Sequence, residues 1–402
     1  MAAHPPNARK LRNVPPVKSR ATRSTIGRCA VCITEIVFAF WILYACLIAV
    51  DLPLMDVHGD HALKTLRYPD MDNVYRGEGY SRYRINSYGL LGREPAPLSD
   101  SSVFRIAVFG DSFVEALQVP HAVKFTTLLE RSLVPSAGKT KAEVWNFGYS
   151  ADNTGNAFAR WQQSRKYVQF DLVVFSFNDG DLVENRLKDA RNKLGSFLVE
   201  DGSNRFRLVQ AEGFGGSLLP WLNATFPRFH NFHYQVRDRA TSYLTTAKAA
   251  VADRLRGMGA TPAQAMQHNI IPISNEQLDS TLRQLEFVHN QIADTGTRIL
   301  LLGIPTDAAT PAGFGSHRDD ALNGYLALIR GLKEHSMPII DPYPAIESEI
   351  AAGKDPYSDW EPFRHYNARG HRLIATAVVA YIAKHPTLSV QVRDEAIQEA
   401  SR

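Results

Sequence analysis

A serine hydroxyl becomes a nucleophile only when a base stands beside it. Four residues far apart in this chain are of the types that acyl transfer uses. Ser112 lies in Gly110-Asp111-Ser112, where the apolar run FRIAVFG (104–110) stops. His365, in Arg364-His365-Tyr366-Asn367, is a candidate general base, since a neutral imidazole can take a proton near pH 7. Gly148 ends EVWNFG (143–148), and Asn178 follows DLVVFSF (171–177). The N–H groups of Ser112 and Gly148 and the side-chain amide of Asn178 are the kind of fixed donors that a tetrahedral oxyanion needs. Losing one such donor typically costs about 3 kcal/mol. Singly, each residue has a plainer explanation: Ser112 a helix cap, Gly148 and Asn178-Asp179-Gly180 turns, His365 a surface side chain. Jointly, those explanations require four coincidences at one rim.

The rim comes from the elements. Short, nearly continuous apolar runs at 104–110, 143–148, 171–177, 297–304 and 338–344 alternate with helical patterns near 121–134, 155–168, 318–335 and 368–384. Runs of that kind predict a parallel sheet covered on both faces, and hence a doubly wound α/β domain of five strands. Residues just past strand ends gather at one edge of such a sheet, where open α/β folds bind ligands. A long interruption, 185–275, follows the third strand. Within it, FLVEDGSNRFRLV (197–209) reads as a hairpin around Asp201-Gly202. An aromatic stretch (215–236) and an amphipathic helix to about 257 complete the insertion, which reads either as a lid or substrate platform or as a decorative subdomain.

With GDS (110–112), NFG (146–148), FND (177–179) and HYNARGH (365–371) in that order on a flavodoxin-like alternation, the chain resembles the SGNH, or GDSL, hydrolases. The match covers roughly 84–183 and 297–384. The resemblance implies Ser112 as nucleophile, His365 as base, and Ser112, Gly148 and Asn178 as the oxyanion hole, with no cofactor and no metal. The family places an aspartate two or three positions before its histidine, where this chain has Phe363 and Pro362. Glu361 or Asp359 is therefore expected to orient His365, with a Ser-His dyad or a decayed site as the alternatives. His371, in the first turns of the last helix, is expected to be structural. Asp111 is expected to shape the nucleophile turn, and Asp179 with Asp181 lacks a third convergent ligand for a metal.

Charge and hydropathy bound the rest. The chain has 402 residues and a formal charge of +4, but residues 1–28 hold seven Lys and Arg and no acid. The remaining 38 basic residues face 41 acidic ones, a net of −3, which leaves no support for a nucleic-acid partner. The expected organisation is a disordered basic tail (1–28), a transmembrane anchor (29–50), a connector (51–100) and an SGNH hydrolase domain (101–390) with the insertion 185–275. The uninterrupted apolar part, 36–50, is shorter than the ~20 residues a spanning helix needs, and the span is extended back to Cys29. Basic residues before the span predict a single-pass signal anchor with the catalytic domain extracytoplasmic, periplasmic or on the outer face. Cys29, Cys32 and Cys46 all lie in or beside the span, so the body has no disulfide framework. From that location, the expected function is a serine esterase or acyl hydrolase acting on an envelope glycan or lipid ester. The alternatives are an O-acetyltransferase on an envelope polysaccharide, or a non-catalytic glycan-binding protein that uses aromatics such as Trp221 and Tyr234.

Overall fold

A computed structural model describes residues 32–43, 45–46, 71–75, 78–135, 138–190, 195–202, 205–211, 273–310, 318–358 and 364–393. It divides the chain into two units, Met1–Leu52 and Pro53–Arg402.

The second unit is built on five parallel strands: β1 (Val103–Gly110), β2 (Lys141–Gly148), β3 (Leu172–Phe177), β4 (Arg298–Gly303) and β5 (Ile339–Ile340). Their spatial order is β5-β4-β3-β1-β2. The order reverses between β1 and β3, so ligands are expected where those two strands end. Among the described residues of this unit, eight α-helices follow in chain order: α1 (Ser112–Glu115), α2 (Phe125–Ser132), α3 (Thr154–Ser164), α4 (Asp181–Glu184), α5 (Asn275–Ala293), α6 (Arg318–Glu334), α7 (Tyr343–Ala351) and α8 (Ala368–Lys384). The first four expected strands and the helices near 121–134, 155–168, 318–335 and 368–384 are present with small changes at their ends; the fifth strand, expected over 338–344, is only Ile339–Ile340, because α7 begins at Tyr343.

The period-2 alternation of a strand explains the layers. Ala107, Phe109, Val173, Phe175 and Leu301 face α3, α5 and α6, packing on Phe158, Trp161, Leu285, Val288 and Leu328. Their neighbours Ile106, Val108, Val174, Leu300 and Leu302 face α2, α7 and α8, packing on Phe125, Leu129, Ile346, Ile374 and Val378. Every residue of β1 and β3 is buried. Each fully buried side chain of this size contributes about 1.5–3 kcal/mol, which is why these strands read as continuous apolar runs.

Three two-stranded sheets accompany this core among the described residues, one of them pairing Leu133–Pro135 with Val390–Val392. An antiparallel pair, Met71–Tyr75 with Ser81–Ile85, forms an N-terminal hairpin. Isolated bridges Ile85↔Leu91 and Leu91↔Asn146 tie it to the end of β2. The hairpin expected around Asp201-Gly202 is also present, pairing Gly195–Asp201 with Arg205–Ala211. Helix α5 was not anticipated; it starts at the last residue assigned to the insertion. Its signal is legible: Ser274 and Gln277 form a reciprocal capping box.

The membrane expectation is corrected. In the first unit residues 32–43 and 45–46 are helical, and among the described residues no helix is long and apolar enough to cross a membrane. The fifteen-residue apolar run, 36–50, falls short of the ~20 residues required. The transmembrane anchor at 29–50, the signal anchor, the membrane partner and the single-pass extracytoplasmic placement fall together.

Candidate active site

The parallel register brings the first elements together. β1 pairs with β2 from Val103↔Lys141 to Gly110↔Gly148, so both strands end level. β1 then turns at once into α1. Asp111 is its N-cap, accepting the Phe113 N–H at 3.0 Å, and Ala116 closes the turn in the left-handed region at φ 55°. Because Asp111 makes the cap, the Ser112 hydroxyl is left for another partner.

That partner is His365, whose Nε2 lies 2.7 Å from Ser112 Oγ. On the far side of the ring, Nδ1 lies 2.6 Å from each carboxylate oxygen of Glu78. The His365 main-chain N–H also donates to Glu78, at 3.1 Å, so one carboxylate holds both the ring and the backbone. Asp359 and Glu361 lie outside the described residues; among the described ones, the acid on His365 is Glu78, 287 positions upstream. Burial alone would lower the imidazole pKa. The hydrogen bond and charge of Glu78, with Asp111 and Glu115 nearby, outweigh burial and hold it above the usual histidine value.

Glu78 sits in the turn of the N-terminal hairpin. Gly79 allows the approach: a Cβ there would lie 2.5 Å from the carbonyl oxygen of Gln118. Ser81 Oγ donates to the Leu117 carbonyl at 2.5 Å, and Tyr83, Ile85, Leu91 and Leu117 form a small apolar cluster beneath. Gln118 in turn donates to the Tyr366 carbonyl at 2.9 Å, tying the same segment to the histidine loop. The sequence of the turn, Gly77-Glu78-Gly79, marks a tight bend with an acid at its tip. Nothing in it points to His365.

Asn178 is buried and its side-chain nitrogen donates to Asp111 at 2.6 Å, beside Ser112. Gly148 behaves differently from expectation. Its N–H donates to Asn146 Oδ1 at 2.9 Å, and Asn146 Nδ2 donates to the Val114 carbonyl of α1 at 2.7 Å. The glycine is required for packing, since a Cβ would lie 2.2 Å from the Glu115 nitrogen. Glu115 carries the brace onward, its buried carboxylate accepting from the N–H and the hydroxyl of Ser150.

The other described candidates have partners of their own. His371 is fully buried, stacks on Phe125, and is lowered by burial, Lys124 and His365 to a pKa of about 3, so it stays neutral. Asp179 accepts from the Thr306 N–H and hydroxyl at 2.8 and 2.7 Å, and Asp181 accepts from the Asn178 N–H at 2.9 Å. Burial lifts Asp179 to about 6. Trp221 and Tyr234 lie outside the described residues.

No family model matches the sequence, and no curated protein matches it. Solved structures do. A member of the lipolytic G-D-S-L family from Veillonella parvula DSM 2008 matches at 11% identity and TM-score 0.37, covering 69% of this chain and 96% of the other. An acetylxylan esterase from Geobacillus stearothermophilus matches at 12% and 0.37, covering 69% and 93%. A lipase/acylhydrolase from Enterococcus faecalis matches at 15% and 0.35, covering 70% and 95%. At these identities and TM-scores the chemistry of the site rests on its own geometry. The sheet order is that of a three-layer doubly wound α/β fold.

Proposed function

We propose that the protein is a serine acyl hydrolase acting on carboxylic esters. One observation carries the reading: the His365 ring lies between Ser112 Oγ at 2.7 Å and Glu78 at 2.6 Å. In the forward step, His365 Nε2 takes the Ser112 proton as Oγ bonds to the ester carbonyl carbon, and the carbonyl oxygen becomes an oxyanion. The imidazolium then returns the proton to the leaving alcohol as the C–O bond breaks. Water repeats the sequence on the acyl-enzyme, releasing the acid and restoring Ser112. Glu78 keeps the Nδ1 proton on its own side of the ring and stabilises the imidazolium.

Two donors are assigned to the oxyanion, the Ser112 N–H and the Asn178 Nδ2 proton not given to Asp111. The Gly148 N–H is committed to Asn146 and is left out. The alternative of a non-catalytic glycan binder drew on the missing acid at positions 362 and 363. A carboxylate in hydrogen-bond reach of His365 supports catalysis instead.

The test is hydrolysis of short-chain p-nitrophenyl esters by the full chain, beside Ser112→Ala. Activity abolished by the substitution is the expected result. Equal rates in the two proteins, or none in either, would count against the serine mechanism.

A further inference from the structure

Asp111 bridges the nucleophile turn and Asn178. Its Oδ1 accepts the Phe113 N–H at 3.0 Å, and its Oδ2 accepts from Asn178 Nδ2 at 2.6 Å. Asn178, 7% exposed, is held at its other end by the Gly180 N–H, which donates to Oδ1 at 2.7 Å. The ends of β1 and β3 approach closely enough for this because residue 110 is glycine. A Cβ there would lie 2.0 Å from Ser176 Oγ.

The two ends of a carboxamide are not equivalent: the nitrogen has two protons to donate, and the oxygen only accepts. Opposite a carboxylate only the nitrogen is tolerated, and opposite an N–H only the oxygen. Asp111 and Gly180 therefore select the same one of two orientations related by a half-turn. One Nδ2 proton goes to Asp111 and one is left.

We propose that Asp111 is a positioning residue, holding the Asn178 carboxamide so that its remaining N–H meets the acyl oxygen of a substrate attacked by Ser112. This rests on the serine acyl-transfer reading above. The contribution is orientation, since a negative charge by itself opposes an oxyanion. Asparagine at 111 tests this directly: with its oxygen kept on the α1 cap, the Oδ2 position becomes an NH2, which cannot accept from Asn178.

The experiment is the rate at which a fluorophosphonate probe captures Ser112 in the full chain, read by mass spectrometry. The Ser112 oxygen displaces fluoride, and the phosphoryl oxygen needs the same donors as an ester oxyanion. Asp111→Asn and Asn178→Ala are each expected to slow capture by about 10²-fold. The double variant is expected to be no slower than Asn178→Ala, because Asp111 acts through Asn178. Asp111→Ser keeps a good N-cap without reaching Asn178 and is expected to behave like Asp111→Asn, with thermal melts establishing which variants fold. Capture by Asp111→Asn at or above the wild-type rate, or a double variant slowed by the product of the singles, overturns the proposal. A wild-type chain that is not captured, or capture that persists in Ser112→Ala, overturns the serine reading and this proposal with it. The wild type gives one further check by NMR: the two Asn178 Nδ2 protons must differ, one slow to exchange. Equal, fast exchange of both would also overturn the proposal.

Discussion

The two halves of the candidate site are built in different ways. Ser112, Asn178 and Gly148 stand at the ends of adjacent strands whose register is set by eight residue pairs between β1 and β2, Val103↔Lys141 to Gly110↔Gly148, and four between β1 and β3, in a sheet packed between two apolar layers. His365 and Glu78 stand on a loop and on the turn of a two-stranded hairpin. They are joined to the core through Gln118, Ser81 and a four-residue apolar cluster. The first half shares its geometry with the stability of the whole domain. The second is held by that small cluster, the bridges through Leu91 and a handful of polar contacts, and a two-stranded hairpin is marginal on its own. Function in the second half should therefore be separable from stability, and in the first half it should not.

The largest effect expected is from His365→Ala, which removes the base. Ester hydrolysis should fall by about 10⁴-fold or more, with a melting temperature near wild type; a drop below tenfold would dissolve the assignment. Next is Glu78→Gln, which keeps the shape of the turn and removes its charge. A loss of roughly 10²–10⁴ in kcat is expected, accompanied by a shift in the pH profile. Activity requires neutral His365, so it rises with pH through the histidine pKa, which burial lowers and which Glu78, Asp111 and Glu115 together hold above the usual value. Without the Glu78 charge that pKa drops, and the rising limb must move to lower pH. A limb that stays in place would mean Glu78 does not govern the base.

A pair of glycine substitutions compares the two halves directly. In Gly148→Ala the new methyl meets the backbone of α1, with a Cβ 2.2 Å from the Glu115 nitrogen. Both activity and stability should fall, stability by about 1–3 kcal/mol. In Gly79→Ala the new methyl meets the Gln118 carbonyl at 2.5 Å and displaces Glu78. Activity should fall with a smaller loss of stability. The reverse ranking in thermal melts would show that the hairpin is part of the core after all.

The smallest effect concerns Asp179, which burial raises to about 6 in the folded chain against about 3.9 unfolded. The native state then binds the extra proton between those values, so this group makes stability fall as pH rises from about 4 to about 6. Asp179→Asn keeps an acceptor for the Thr306 N–H and should flatten that slope in a melting series across pH. An unchanged slope would place its source elsewhere.

The amino-acid sequence by itself determined the layers, the five strands and the rim positions of Ser112, Gly148 and Asn178. The physical reason is local: strands buried on both faces must be continuously apolar, and a parallel sheet sends every strand end to the same edge. It also placed His365 just before α8. Helix α5 was within reach through its Ser274 cap but was hidden beside a long insertion. What only the tertiary structure decided was which acid meets His365 and which donors remain free. Glu78 lies 287 residues from His365 and carries no signature beyond two flanking glycines, so only the docking of the hairpin brings the pair to 2.6 Å. The Gly148 N–H was equally undecidable from sequence, because its orientation depends on an Asn146 side chain that hydrogen-bonds back onto it. Periodicity and spacing report what a segment must bury; they do not report which polar atoms of distant segments satisfy each other.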